Sequence, residues 1–327
     1  MNGEFILSGD SFQPRRQPML FLNLLLLALA LAFFTQCASR QQAQQEQRRE
    51  KAGGKVAFVA NLKGNWDLFV MNSDGTELTQ LTDTFLDERA PAISPNGGQV
   101  AYATSDGTLW VMLLATKAAN RLPLPAGRYG YPAWLSDGSG IVYTSYTFAP
   151  GNEDADFFVY SFVDQTQRPF LIQTGPQDYP SLSPEGGTVA YISSLATVQQ
   201  GFGNTLTQQL WVASLREGKP SQLLAGSGSE THPAWSPDGN WLAFSSARKG
   251  SPDIWIIRRD GQELAQLTSA PAAESSPTWS PDGREILYVS TESGRMRLML
   301  LDVNGRASRT LSPFNSEGVE VKDPHWR

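Results

Sequence analysis

A fifteen-residue unit recurs along this chain in a single register. Residues 90–104, 131–145, 179–193, 232–246 and 276–290 align without a gap. Each has Pro in second place (Pro91, Pro132, Pro180, Pro233, Pro277) and Gly in eighth (Gly97, Gly138, Gly186, Gly239, Gly283). An aromatic residue stands thirteenth: Tyr102, Tyr143, Tyr191, Phe244 and Tyr288. The middle of the unit, Ser236-Pro237-Asp238-Gly239 in its fullest form, is turn chemistry. Pro fixes φ, Asp bonds its own backbone, and Gly accepts a positive φ. The alternating apolar residues on either side read as two paired strands. Ser94, Ser183, Ser236 and Ser280 are therefore turn residues rather than nucleophiles.

A third apolar strand follows each time: residues 68–71, 109–112, 157–160, 210–213, 254–257 and 298–301. Asp74-Gly75, Asp260-Gly261 and Asn304-Gly305 then supply hairpin turns into a fourth strand. Four antiparallel strands repeated at this spacing predict the blades of an all-β propeller. The count is six. Val56-Ala57-Phe58 matches places eleven to thirteen, so the domain opens on the second strand of a blade. The missing first strand lies at the other terminus, where residues 323–327 match places one to five. The C-terminal strand 323–327 is thus predicted to join the N-terminal blade and close the ring.

These units, with their Leu-Trp-Val-type third strands and Asp-Gly…Leu-Thr endings, resemble the TolB-like propeller family, also called WD40-like or PD40 repeats. The resemblance covers residues 55–327. TolB itself carries an α/β domain before its propeller; here a signal sequence and a tether occupy that position. The resemblance implies a protein or peptide ligand inserted at the channel mouth, as TolB receives the peptidoglycan-associated lipoprotein. It implies no cofactor, with room for a divalent cation such as calcium in the channel.

The N-terminal segment reads as an address. Arg15 and Arg16 precede an apolar run from Met19 to Phe34 that is broken only by Asn23, the pattern of an export signal. Residues 1–38 are assigned to a signal sequence, with Phe34-Thr35-Gln36-Cys37 resembling a lipobox and Cys37 the candidate lipidation site. Gln36 departs from that motif, which takes a small residue there, and the alternatives are a cleaved secretory signal or a retained anchor. Residues 39–54 are Gln-rich, have no apolar period, and read as a flexible tether. The first 51 residues are net +2, which leaves the body at −8 of the chain's total of −6. So acidic a body excludes nucleic acid as a partner. An exported, periplasmic or extracellular protein anchored to the membrane is expected, its propeller monomeric, with an envelope protein or peptide as partner.

In a blade of alternating strands, the links between blades share one face with the second-to-third loops. Long loops are expected there in blades 3 and 4, at residues 146–156 and 195–208. Loops held on a rigid scaffold are where binding residues concentrate. The candidate binding residues at the channel mouth are Glu88, Arg89, Arg128, Tyr129, Asp178, Tyr179, Glu230, His232, Glu274 and Asp323. Glu88, Glu230 and Glu274 share one register position, three before the Pro, and are expected either to join an acidic ring or to cap the links between blades. The tryptophans Trp110, Trp134, Trp211, Trp235, Trp255 and Trp279 are assigned to the blade core. No catalytic or metal-binding residues are assigned, because the chain has only two histidines, His232 and His325, at different places in the repeat. The alternative function is a propeller hydrolase or lyase acting on an extracellular polymer. If Cys37 is lipidated, fatty-acid labelling follows the protein and vanishes in Cys37→Ser. An unlabelled, freely soluble mature form overturns that assignment.

Overall fold

The computed structural model describes residues 53–149, 152–199, 203–224, 226, 228–304, 307–311, 313–314 and 318–327. The signal segment, Cys37 and all but the last two tether residues lie outside this set. The described residues form six four-stranded antiparallel sheets arranged as propeller blades. Blade 1 combines both termini: Glu320–Trp326, then Lys55–Asn61, Trp66–Asn72 and Thr79–Gln80. The innermost strands of blades 2 to 6 are Glu88–Ile93, Arg128–Trp134, Gln177–Leu182, Thr231–Trp235 and Glu274–Trp279.

The second and third strands of a blade are apolar on both faces, and the packing shows why. Val56 to Ala60 are consecutive and all fully buried, because blade 1 is covered on one side by blade 6 and on the other by blade 2. Each apolar cluster of the domain spans two adjacent blades. Phe58, Phe69 and Met71 of blade 1 pack with Leu287 and Leu300 of blade 6, and Val59 and Leu68 pack with Tyr102 and Met112 of blade 2. The other blade pairs repeat the arrangement around the ring.

The repeated Gly of the first turn is left-handed, with φ between 69° and 75° at Gly97, Gly138, Gly186, Gly239 and Gly283. The turn serine is used locally. Ser236 donates to Asp238 Oδ1 at 2.6 Å and accepts from the Trp241 amide at 2.9 Å. Ser280 repeats both contacts with Asp282 and Glu285.

The innermost strands have one edge without a β partner, and tryptophan covers part of it. The indole N–H of Trp134 donates to the Ala92 carbonyl of the preceding blade at 2.8 Å. Trp235 reaches Ser181 and Trp279 reaches Ala234 in the same way, both at 3.1 Å. Trp326 occupies the same register and is 6% exposed, yet its indole nitrogen has no hydrogen-bond partner. Its backbone N–H instead donates to Thr278 Oγ1 at 3.1 Å.

One expectation is corrected. The segments read as long loops in blades 3 and 4 are continuous strand pairs. Gly140–Ala149 pairs with Asn152–Ser161 as far as Ala149 against Asn152, and Thr188–Gln199 pairs with Gly203–Ser214 as far as Gln199 against Gly203. The ladder, once nucleated in the blade, satisfies more backbone N–H and C=O groups by continuing than a loop would. Two hairpins therefore rise above the face that carries the links.

Ring closure is as the repeat alignment predicts. Val56 pairs with Trp326, Ala57 with His325 and Val59 with Lys322, and the Arg327 amide donates to Lys55 O at 2.9 Å. Gly54 lies so close that a Cβ there would meet Arg327 O at 2.5 Å. Trp326→Ala is expected to cost about 3–5 kcal/mol, seen as a clear drop in melting temperature. Trp326→Phe, which forfeits no indole hydrogen bond, is expected to cost less than Trp279→Phe. A chain truncated after Val321 that melts like the full one overturns this account of closure.

Candidate binding site at the channel mouth

One backbone feature creates the site. In every blade the residue before the repeated Pro has a left-handed φ: Ala90 48°, Tyr131 46°, Tyr179 57°, His232 50°, Ser276 52° and Asp323 52°. None of the six is Gly, and such conformations cost of order 1–3 kcal/mol each. The strand pairing explains them. Arg89 faces Ala103 and Ala92 faces Ala101, so Ala90 and Pro91 together oppose the single residue Tyr102. The same two-against-one bulge recurs opposite Tyr143, Tyr191, Phe244, Tyr288 and, in blade 1, Phe58. Pro has no N–H to give a ladder, so a bulge is where a strand tolerates it. The Pro and the aromatic in thirteenth place are thus two halves of one structure.

The bulge brings the six pre-proline residues to the wall of the central cavity, which has a volume of roughly 400 Å³. Tyr131, Tyr179 and His232, on consecutive blades, form a continuous aromatic wall. Ring centroids are 4.3 Å apart for Tyr131–Tyr179 and 4.2 Å for Tyr179–His232, each pair tilted by 49°. Ser276, Asp323 and Ala90 complete the ring with small or acidic groups. Asp323 Oδ2 accepts from the Ala90 amide at 3.1 Å, and its charge acts on both Tyr179 and His232. Burial pushes the His232 imidazole down to about 4 against the opposing pull of Asp323, so the ring is neutral at physiological pH.

Behind this wall Asp178 accepts from the hydroxyl of Tyr146 at 2.8 Å. Burial raises its carboxyl to about 6, and the hydrogen bond from Tyr146 offsets part of the rise. Tyr146 stands in the extended hairpin of blade 3, next to Phe148 at 6.0 Å between ring centroids.

The family model described as the TolB beta propeller domain, PD40, matches residues 132–326. The chain belongs to this family. A TolB homologue of Chlorobium luteolum is 30% identical over 283 residues, which is 85% of this chain and 61% of that protein. The structure of TolB from Acinetobacter baumannii superposes with a TM-score of 0.71 at 20% identity, over 84% of this chain and 66% of that one. An oligogalacturonate lyase in complex with manganese gives a TM-score of 0.58, also at 20% identity, over 81% of this chain and 75% of that one. These structural likenesses establish the common fold.

Within this PD40 propeller the candidate residues divide into two groups. Tyr179, His232 and Asp323 line the cavity, with Asp178 directly behind. Tyr131 and Tyr146 belong with them, though the repeat pattern alone did not single them out. Tyr131 was identifiable from its register, since it precedes the Pro as Tyr179 and His232 do.

Glu88, Glu230 and Glu274 do not join an acidic ring. They are 1%, 1% and 2% exposed and face away from the cavity, because a side chain three before the Pro lies outside the bulge. Glu88 accepts from Thr82 at 2.8 Å and Thr84 at 3.0 Å, which ties the link to the end of the preceding blade. Glu230, in a blade preceded by Leu223-Leu224 rather than Leu-Thr, is held by Arg248 at 2.5 Å and by Ser246. Arg89 turns back to its own blade, donating to the Thr104 carbonyl at 3.3 Å. Arg128 lies 5.3 Å over the Phe148 ring, and the Tyr129 hydroxyl donates to the Pro125 carbonyl at 2.9 Å.

Burial raises Glu274 to about 7, opposed by hydrogen bonding to Thr268. Its stabilising contribution is complete below the unfolded value of 4.5 and is lost as pH rises through 7. Glu274→Gln removes that dependence. Relative to the parent, the variant is expected to gain about 1–3 kcal/mol between pH 5 and pH 8, read from denaturant unfolding at the two values. A difference that does not change with pH overturns the buried-carboxyl account.

Proposed function

We propose that this chain is an exported scaffold of the cell envelope, tethered to a membrane through its N-terminal segment, which binds a protein or peptide segment at the channel mouth. The single observation that carries this reading is the aromatic wall of Tyr131, Tyr179 and His232 at one end of a central cavity, whose lining continues along the innermost strands to the first turns at Ser136, Pro184, Pro237 and Pro281. The face of the links and of the two long hairpins carries Phe85, Phe148 and Ile172, with exposures of 92%, 61% and 58%. Exposed apolar side chains on one face suit a protein-binding surface. The TolB homologues supply the analogy for an envelope protein as partner.

The alternative reading as a polymer-degrading enzyme draws on the likeness to the oligogalacturonate lyase. This site offers such chemistry little. Among the described residues no three His, Cys, Asp or Glu side chains come together as a metal site. His325 is occupied as an acceptor for the Ile93 amide at 3.2 Å, and the turn serines are bound into their turns. A binding role in which the cavity takes a segment of the partner, without a required cation, uses the residues as they stand.

A photo-crosslinking residue placed at Phe148 in the full-length protein is expected to trap a discrete envelope protein. The same probe at Val163, which is 82% exposed in a third-to-fourth turn on the opposite face, is expected to trap none. Equal adducts from both positions, or none from Phe148, overturn the reading.

A further inference from the structure

The mouth carries negative charge that the protein itself leaves unmatched. Among the described residues the ion pairs include neither Asp178 nor Asp323. Two cations stand one residue before the left-handed position and both are engaged elsewhere, while a third, Arg327, lines the turn end of the cavity, four residues along the chain from Asp323. Arg89 is hydrogen-bonded to the Thr104 carbonyl, and the Lys322 ammonium sits 4.1 Å over the Trp66 ring in its own blade. The buried Nδ1 of His232 has no hydrogen-bond partner within the protein. Three aromatic rings on consecutive blades, packed against one another at 4.2–4.3 Å between centroids, line the cavity over half its circumference. Asp323 stands on blade 1, across the ring from Tyr179 on blade 4.

We propose that the channel mouth is a cage for one cationic side chain, a guanidinium or an alkylammonium, presented by the bound segment. Tyr131, Tyr179 and His232 supply the ring faces, on which a cation gains electrostatic attraction once it sheds water. Asp323 supplies the counter-charge. Asp178, one layer behind, adds to the field without touching the ligand, because its carboxylate is taken up by Tyr146. The net charge of −8 on the body beyond the first 51 residues favours approach of such a group at long range. The left-handed backbone makes the cage possible by turning three bulky side chains on adjacent blades toward one axis. In the repeat, the identity of the pre-proline residue then sets what the channel accepts. This inference rests on the proposed binding role and specifies its chemistry.

The chain's two histidines provide the assay. His232 lines the cage, and His325, locked to the Ile93 amide, reports that the ring is intact. Ring-labelled full-length protein is titrated with N-acetyl-arginine amide, N-acetyl-lysine amide and the neutral isostere N-acetyl-citrulline amide. The cationic probes are expected to move the His232 signal with a Kd on the order of 1–10 mM, while His325 stays in place. Citrulline amide is expected to bind at least about tenfold more weakly. Asp323→Asn, which keeps the bond to the Ala90 amide, and Tyr179→Leu are each expected to weaken the cationic probes by about tenfold. Citrulline amide binding as tightly as arginine amide, or variants that bind unchanged with His325 undisturbed, overturns the cage. A partner that still crosslinks at Phe148 in that case leaves the binding role standing. Tight arginine binding without any crosslinked partner does the reverse.

Discussion

Every part of this domain depends on the need of each blade to cover two apolar faces. A sheet with one wet face can stand alone on its core side; a sheet buried on both faces cannot. Val56 to Ala60 are all inaccessible because neighbours lie on both sides, and the same holds for the middle strands of the other blades. Such sheets are satisfied only in a closed ring. The last step of closure is the pairing of Val56 with Trp326 across the two ends of the domain. Loss of that pairing would open the cluster that joins blade 1 to blade 6, where Trp326 packs with Phe58 and Leu287, and would leave strand edges unpaired in water.

The ring also presents a problem at its axis, where six innermost strands each show an edge with no strand beside it. The fold handles it with side chains from the adjacent blade. Indoles of Trp134, Trp235 and Trp279 cap carbonyls, while His325 and Thr278 accept backbone N–H groups. The proline in each of these strands removes one N–H that would otherwise need a partner. Its bulge forces the preceding residue into the left-handed region. A device that protects the edge thus also aims six side chains at the axis. The aromatic wall is built on that geometry.

Buried carboxylates serve a different purpose on the same strands. Glu88, Glu230 and Glu274 sit one short step from the mouth and contribute nothing to its surface. Glu88 and Glu230 each fasten a link to the rest of the molecule, through hydroxyl groups and, at Glu230, an arginine. Their burial holds Glu88 and Glu274 above the usual carboxyl range, whereas His232 and His325 are held below theirs. The two sets act in opposite directions as pH changes, since one favours the proton-bound folded state and the other disfavours it.

The sequence by itself determined the architecture. Pro, Gly and an aromatic residue at fixed places in five units, with the missing strand found at residues 323–327, are local signals of turn chemistry and alternation, and those survive intact into the fold. It also brought Asp178, Tyr179, His232 and Asp323 into view as one face. The tertiary structure alone decided which side chains reach the axis. Glu274 and Ser276 are two residues apart, and simple alternation would put them on the same side of a strand. The bulge at Ser276-Pro277 breaks that alternation, so Ser276 lines the cavity and Glu274 is buried away from it. The length of the blade 3 and 4 hairpins was likewise a matter of two strands staying paired in register as far as Ala149 with Asn152 and Gln199 with Gly203. No periodicity in residues 146–156 or 195–208 announced it. What depends on neighbouring residues could be read along the chain; what depends on two strands meeting in register could not.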